Sequence, residues 1–348
     1  MDNYGILSCS PSLANSTQGL VDSAMTQLGL QVHEQTSASA SASFVGLELS
    51  HNRLRVKVAR LWKLRRALEH VLHVGYISGS VLEVLIGHVT WSMLVRREAL
   101  AFLHHSYRFI HSHYHSRIRI PSCLALELRT IVAILPLLFS QLDNQWSTLV
   151  HASDASESGL GVCTRRIPAA EVGAIGRCHE KWRFKTEDAI QARAHALLTP
   201  PGLSTPPIAT VSSFDVAAQL NCLDPDSFDA VVDSVRRFDE VPNSWLDPKT
   251  WSVVHSSQTT RTEHITRSEG RALVWSACHA LRSLENHNKR CLFLVDNMSL
   301  CLGVSRGRSS APSLRYPLRQ LAALSLATGS RLVCRWIPSE TNIADGPP

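Results

Sequence analysis

The sequence predicts an α/β protein, and three observations support that class. Five short apolar segments have strand character: 146–152, 160–165, 251–255, 291–295 and 331–337. Two segments between or after them, 265–284 and 318–327, have the apolar spacing of helices. A further stretch upstream, 56–74, is amphipathic at helical spacing. Strands and helices that alternate in this way are typical of a sheet covered by helices.

The first two strands are predicted to form a hairpin. Trp146 to Ala152 is a β-leaning run that leads to Asp154, and Gly159-Leu160-Gly161 supplies a tight return into Leu160 to Arg165. The helix that begins near Ile265 carries Glu269 in its first turn. A continuously apolar run, typical of a buried strand, then ends at Asp296.

Four acidic residues stand out because each has a different and specific local setting. They are Asp154, Glu269, Asp296 and Asp345. Taken singly, the aspartates are explained as turn formers and Glu269 as a favourable charge at a helix N-terminus. If the four converged, they would repel one another unless divalent cations neutralised them. Carboxylate oxygens suit Mg²⁺ or Mn²⁺ in a two-metal phosphodiester hydrolysis site.

The motifs around these acids give residues 146–348 a resemblance to the RNase H domain of retroelement reverse transcriptases. The motifs are D-A-S-x-x-G-x-G, S-E-x-x-A, V-D-N and N-I-A-D, in that order. The segment W-I-P-S-E-x-N-x-A-D, which ends at Asp345, is especially similar to elements of the DIRS and related types. The resemblance implies a mixed five-stranded sheet with flanking helices, and hydrolysis of the RNA strand of RNA–DNA hybrids with two Mg²⁺ or Mn²⁺ ions.

The same resemblance implies a catalytic and metal-binding role for each acid. Asp154 would be shared by both ions, and Asp345 would bind the ion that activates the attacking water. Glu269 and Asp296 would bind the ion on the leaving-group side. These roles are implied by the family and not by the spacing of the residues.

The upstream part of the chain resembles other parts of the same enzymes. Residues 44–49 resemble the hairpin that follows the palm, and 56–74 resembles the start of a thumb, although an ordinary surface helix with a solvated basic face is the alternative. The segment G-H-V-T-W followed by Arg96-Arg97 resembles a thumb and connection region. The expected domains are a partial palm remnant (1–50), a mainly helical thumb and connection region (51–145) and an RNase H-like domain (146–348) with an insertion near 186–250.

The first residues resemble the end of one polymerase motif, and the other palm carboxylates of that family have no counterpart in this sequence. Asp2-Asn3 corresponds to the end of Y-x-D-D, with Asn in place of the second Asp. Polymerases need carboxylates on both palm strands, so we expect no DNA synthesis from this chain. The alternative is that Asp2 and Asn3 belong to an unstructured amino terminus.

Composition favours a nucleic-acid partner, either an RNA–DNA hybrid or a duplex. The net charge is +6, and the pI is about 8.9. Several arginines lie in segments expected to follow a phosphate backbone: Arg60, Arg65, Arg66, Arg96, Arg97, Arg306 and Arg308. The nine cysteines include no C-x-x-C pair, which disfavours a zinc knuckle or a disulfide framework. Without a long apolar run or a secretion signal, an intracellular location, in cytoplasm or nucleus, is expected and no membrane partner is.

Two alternatives to the nuclease remain open at the level of sequence. One is a non-catalytic nucleic-acid-binding remnant, and the other is an inert retroelement relic. The presence of all four acids favours the enzyme. The observation that separates these hypotheses is whether the four carboxylates lie near one another in the folded chain.

Overall fold

The computed structural model describes residues 4–6, 8–32, 35–156, 159–183, 238–258 and 263–345. The chain divides into two compact units, of which the first comprises Met1–Arg96 with His105–Asp143 and the second comprises Arg97–His104 with Asn144–Pro348. Asp2, Asn3 and most of the expected insertion near 186–250 lie outside the described residues. Among the helices that are described, none is long and apolar enough to cross a membrane.

The first unit contains an antiparallel sheet and several helices. The sheet strands, in spatial order, are β1 (Ala42–Phe44), β2 (Leu47–Ser50), β3 (Arg53–Val56) and β6 (Phe139–Gln141). The helices are α1 (Pro11–Gln27), α2 (Val58–Val74), α3 (Gly79–Met93), α4 (His104–Ser112) and α5 (Ser122–Ile134). A small ladder joins β4 (Tyr76–Ile77) to β5 (Ile118–Arg119). Helix α2 buries Leu64, Leu68 and Val71 and contacts α3 and α5, as expected for an amphipathic helix.

The second unit contains the mixed five-stranded sheet that the sequence predicts. Its strands are β7 (Leu149–Ala155), β8 (Gly159–Arg166), β9 (Ser252–Gln258), β10 (Arg290–Val295) and β11 (Arg331–Trp336), in the spatial order β11-β10-β7-β8-β9. Strands β7, β8 and β9 are antiparallel neighbours, whereas β10 is parallel to both β7 and β11. The flanking helices are α6 (Ala169–Arg177), α7 (Ile265–Leu281), α8 (Met298–Arg306) and α9 (Arg315–Thr328). This architecture is consistent with an RNase H-like fold.

Strand β10 is apolar from Cys291 to Val295 because both faces of the sheet are covered there. Cys291, Phe293 and Val295 pack in one core cluster, whose helical residues come from α7, α8 and α9. Leu292 and Leu294 pack in the other cluster, with residues such as Val172 of α6. Alternate side chains of a strand point to opposite faces, so a strand covered on both sides favours apolar residues at consecutive positions.

A group of charged side chains lies at β11: Glu180, Arg183 and Arg335 are fully buried, and Glu240 is partly buried. Glu180 Oε1 accepts from Arg335 Nε at 2.8 Å and from the Trp336 backbone N–H at 3.0 Å. Glu180 Oε2 accepts from Arg183 Nε at 2.8 Å, and the other two guanidinium nitrogens of Arg183 bind Glu240. Arg335 also donates to the Ile175 carbonyl at 2.6 Å and to the Asp239 carbonyl. We call Glu180, Arg183, Glu240 and Arg335 the buried ion network.

Candidate active site

Asp154 and Asp296 occupy matching positions on neighbouring parallel strands. Phe293 pairs with His151, and Leu294 pairs with Ala152. Asp296 and Asp154 each lie two residues beyond the second of these pairs, so the same register brings them side by side at one end of the sheet. Because the strands are parallel and the spacing is equal, the two residues lie on the same side of the pleat. Asp154 is only 8% exposed, whereas Asp296 is half-buried.

Glu269 reaches this region from α7, which packs against β7. Its carboxylate accepts a hydrogen bond from the side-chain amide of Asn297, the residue after Asp296. The carbonyl oxygen of the same Asn297 side chain accepts from the Leu300 backbone N–H at 2.9 Å and so caps the first turn of α8. One asparagine therefore fixes the start of α8 and holds the Glu269 carboxylate.

Asp345 lies on a 3-10 turn, Ile343–Asp345, which is anchored by burial. Ile343 and Ala344 are buried in the cluster that covers one face of the sheet, and Asp345 itself is exposed. The preceding Asn342 is 7% exposed, and its side-chain oxygen accepts from the Ala344 N–H at 3.2 Å. The buried Ile343 and Ala344 thus hold the exposed Asp345 at the edge of the sheet.

Trp336, at the end of β11, supports the backbone of Asp296. Its indole Nε1 donates to the Asp296 carbonyl oxygen at 2.8 Å, while its own backbone N–H is held by Glu180 of the buried ion network. The sequence motif that ends at Asp345 includes Trp336, but the motif does not predict its hydrogen bond to residue 296. The bond forms because the ends of β10 and β11 are adjacent in the sheet.

The pKa values of the buried acids are raised in part by the charges of the neighbouring acids. The pKa of Asp154 is raised to about 6, mainly by burial and then by the negative charges of Asp296 and Asp345, while the hydrogen bond from the Ala155 N–H opposes the rise. The pKa of Glu269 is raised to about 7, mainly by burial and then by the charges of Asp296 and Asp154, while the Asn297 amide opposes the rise. These shifts are the expected response of like charges that share a poorly solvated region.

Asp296 follows the same rule. Burial raises its pKa, and the charge of Asp345 adds to the effect, while the neighbouring Asn342 amide opposes it. The Asn342 Nδ2 nevertheless has no partner that meets hydrogen-bond geometry, so we attribute its influence to proximity and not to a formed bond. The four acids therefore form one electrostatically connected set.

The chemistry of this set fits a hard divalent cation, since all the donors are carboxylate oxygens. The four side chains are not arranged as a complete metal-binding site. Within the part of the chain that the structure describes, no three acidic, histidine or cysteine side chains are placed closely enough to hold a metal ion together. Binding of cations would therefore require the carboxylates to move closer together, and Asp154, Glu269 and Asp296 to lose the protons that their raised pKa values favour.

The arginines that the sequence singled out occupy different environments. Arg65 pairs with Glu69 at 2.8 Å, and Arg60 lies over the Trp91 ring, 4.2 Å from its centroid. Arg66, on the same helix, is exposed. Arg96 is 2% exposed, and its guanidinium donates to the Phe139 carbonyl at 3.4 Å, so its side chain is not presented at the surface.

Three of the arginines are exposed on the second unit: Arg97, Arg306 and Arg308. The structure brings their backbones together at Gly307, the C-cap of α8, which has a positive φ of 69°. A Cβ at Gly307 would lie 1.9 Å from the Arg97 carbonyl oxygen, so only glycine allows this close approach. The result is a small exposed basic group around the end of α8.

Comparisons with known proteins give little further guidance. No protein-family model and no curated protein matches the sequence. Among solved structures, the foamy viral protease-reverse transcriptase in complex with RNA/DNA hybrid is similar at a TM-score of 0.27 and 11% identity, over 97% of this chain and 56% of that chain. The foamy viral protease-reverse transcriptase dRH in complex with ds DNA gives 0.26 and 10%, over 94% and 48%. This chain spans about half the length of both, and scores of this size carry no argument about fold or activity.

Proposed function

We propose that the second unit is a nuclease of the RNase H type, from a retroelement reverse transcriptase of the DIRS or a related type, which hydrolyses the RNA strand of RNA–DNA hybrids. The observation that carries the proposal is the register-matched pair of Asp154 and Asp296, whose charges raise the pKa of neighbouring acids. A protein gains no stability from burying like charges side by side, so such a set is typical of a functional site. The mixed sheet and the order of the motifs agree with this class.

Asp154, Glu269, Asp296 and Asp345 would hold two Mg²⁺ or Mn²⁺ ions. When bound, such ions supply activation of a water molecule and stabilisation of the leaving oxygen. The side chains of this protein would hold the ions and fix the orientation of the four carboxylates. Asp154 is fixed by β7, Asn297 holds Glu269, and Trp336 holds the backbone of Asp296.

Nucleic acid would be bound mainly through its phosphate backbone. The exposed arginines Arg97, Arg306 and Arg308 belong to the same unit as the acids, and Arg66 is exposed on α2 of the first unit. Arginine pairs well with phosphate, and contacts to phosphate carry no base sequence information. We therefore propose hybrid or duplex binding without strong sequence preference. We do not propose polymerase activity.

The decisive experiment is cleavage of a hybrid whose RNA strand carries an end label. With Mg²⁺ or Mn²⁺ we expect internal cuts that leave a 3′-hydroxyl and a 5′-phosphate. Asp154→Asn keeps the shape but removes the charge that both ions would share, so cleavage should fall by about 10³-fold or more while hybrid binding is retained. Glu171→Gln is the matched control, because Glu171 is an exposed acid on α6.

Two results would refute the enzyme. One is the absence of cleavage by well-folded protein with either ion, and the other is an Asp154→Asn variant that cuts as fast as the parent. A second candidate is non-catalytic binding of nucleic acid, which agrees with the finding that, among the described residues, no three acidic, histidine or cysteine side chains are grouped to hold a metal ion. That candidate predicts retained hybrid binding with no cleavage, so the same two assays separate the alternatives.

A further inference from the structure

The first unit contains an apolar cleft that lies outside the candidate active site. It has a volume of about 280 Å³ and is formed by β3, the first two turns of α2 and the segment that follows α5. Its floor includes the buried side chains of Val56, Leu135 and Leu138. Trp62 and Val58 stand at the opening and are 55% and 44% exposed. Exposed apolar groups that line a concave surface are typical of an interaction site.

The rim of the cleft is strongly basic. Arg53, Arg55 and Arg65 line it, and the sequence from residue 49 to residue 68 contains seven Lys or Arg and no acidic residue. Arg53 lies over the Phe139 ring, 4.4 Å from the centroid, and Arg65 lies 5.2 Å from the Trp62 ring centroid. Cation–π contacts hold these guanidinium groups beside the apolar floor.

The charges at the rim are available for exchange with a ligand. Arg55 pairs with Glu48 at 3.1 Å and Arg65 with Glu69 at 2.8 Å, and all four side chains are about one third exposed or more. Solvent-exposed ion pairs are weak. A carboxylate on a ligand can therefore replace Glu48 or Glu69 at little cost.

The chemistry of the lining narrows the ligand further. The side chains that line the cleft are Arg, Val, Leu, Trp, Pro and Phe, so none of them carries an acceptor atom. A nucleobase presents donors on its edges that would find no side-chain partner inside the cleft. A leucine, phenylalanine or tryptophan side chain has no such need, and flanking carboxylates would meet the arginines. Trp and Arg are also the residues most often found at the energetic centre of protein interfaces.

We propose that this cleft binds an acidic peptide segment of a partner protein, with one large apolar side chain inserted beside Trp62 and with carboxylates on Arg53, Arg55 and Arg65. The charge complementarity of rim and ligand selects this occupant over a neutral apolar segment. The proposal is independent of the nuclease activity, because the cleft and the four acids belong to different units.

The test uses the full chain and three labelled 15-residue peptides at about 0.1 M salt. The first peptide is rich in Asp and Glu and has Leu, Phe or Trp at i and i+4. The second has Ser in place of the apolar residues, and the third has Lys in place of the acids. Fluorescence anisotropy measures binding to the parent, to Trp62→Ala and to Trp275→Ala, a matched control because Trp275 is a half-exposed tryptophan of the second unit.

We expect the first peptide to bind at least about tenfold more tightly than the other two. Trp62→Ala should remove the difference between the first and second peptides, which differ only in the apolar residues, and Trp275→Ala should not. Val58→Glu, which places a negative charge at the opening without touching the buried floor, should weaken binding as much as Trp62→Ala. Circular dichroism and thermal melts confirm that each variant is folded.

Three outcomes overturn the proposal. Equal binding of the acidic peptides with and without apolar anchors would show that charge alone attracts them. Unchanged binding by both Trp62→Ala and Val58→Glu would place the contact elsewhere. The third is that no anchored peptide binds; if Trp62→Ala then also weakens binding of a 15-nucleotide single strand or an RNA–DNA hybrid tenfold, the cleft is a nucleic-acid site instead.

Discussion

Two groups of charged side chains in the second unit differ in how their charge is balanced. In the buried ion network, Glu180 and Glu240 face Arg183 and Arg335. Burial alone would raise the pKa of Glu180, but the charges and hydrogen bonds of Arg335 and Arg183 hold it below its ordinary value. In the carboxylate set, burial and like charge act in the same direction, and the pKa values of Asp154 and Glu269 rise to about 6 and 7.

The difference separates a structural role from a functional one. A buried ion network in which each charge has a partner holds distant parts of the chain together. A set of neighbouring carboxylates without a cation destabilises the fold, and such a cost is typically retained where chemistry needs it. The two groups meet at Trp336, whose backbone is held by Glu180 and whose indole holds Asp296. The following predictions test this contrast, from the largest effect to the smallest.

Removal of one partner from the buried ion network should have the largest effect on stability. Arg335→Ala leaves Glu180 buried next to a cavity, with Arg183 and the Trp336 backbone N–H as its remaining partners but without one of its two arginines. Breaking a buried pair in this way costs about 3–5 kcal/mol of unfolding free energy. Urea denaturation measures this loss, with Arg331→Ala as the control, because Arg331 begins the same strand and is only half-buried. If Arg335→Ala lost no more stability than Arg331→Ala, the network would have no structural role.

Removal of a charge from the carboxylate set should increase the stability of the fold, which is the opposite of the effect expected for the buried ion network. The folded pKa of Asp154, about 6, lies above the value of about 3.9 for an unfolded chain, so the folded protein binds the proton more tightly. Stability is therefore lost as pH rises from about 4 through about 6. At pH 8 without divalent cations, Asp154→Asn should raise the free energy of unfolding by about 1 kcal/mol, or Tm by about 2–4 °C.

The pH dependence provides the internal control for that measurement. At pH 4 the parent and Asp154→Asn should melt alike, because Asp154 is then protonated in the folded protein. Glu171→Gln should change Tm little at either pH, since Glu171 is exposed. A lower Tm for Asp154→Asn at pH 8 would contradict the assignment of Asp154 to a repulsive set.

The smallest expected effect concerns Asn297, which serves both the fold and the site. Asn297→Ser keeps a residue that caps helices well but removes the amide that holds Glu269, whereas Asn297→Ala removes both. If the nuclease is active, we expect Asn297→Ser to lower the cleavage rate several-fold and to keep about the parent stability. Asn297→Ala should lower the cleavage rate and also the free energy of unfolding, the latter by about 1 kcal/mol because the helix cap is lost. A Ser variant with the full cleavage rate would restrict Asn297 to capping.

The sequence by itself determined the local elements of the second unit and the order of its acids. The apolar run Cys291–Val295 predicted a buried strand, and the structure has β10 at Arg290–Val295. The glycines after Asp154 predicted the hairpin of β7 and β8, although β7 begins at Leu149 and not at Trp146. These features can be predicted from the sequence because strand periodicity and turn formation depend on residues that are neighbours in the chain. The joint role of the four acids in catalysis stays a prediction.

Only the tertiary structure decided which charged residues are buried and what they contact. Arg96 looked like a nucleic-acid contact in the sequence but is buried against a backbone carbonyl. Glu180 and Arg335 lie 155 residues apart and pair because α6 and the turn that follows it return to β11. The bonds from Asn297 to Glu269 and from Trp336 to Asp296 also join separate elements. Such contacts depend on strand order and long-range packing, and a charged residue has the same local pattern whether it meets solvent, phosphate or a buried partner.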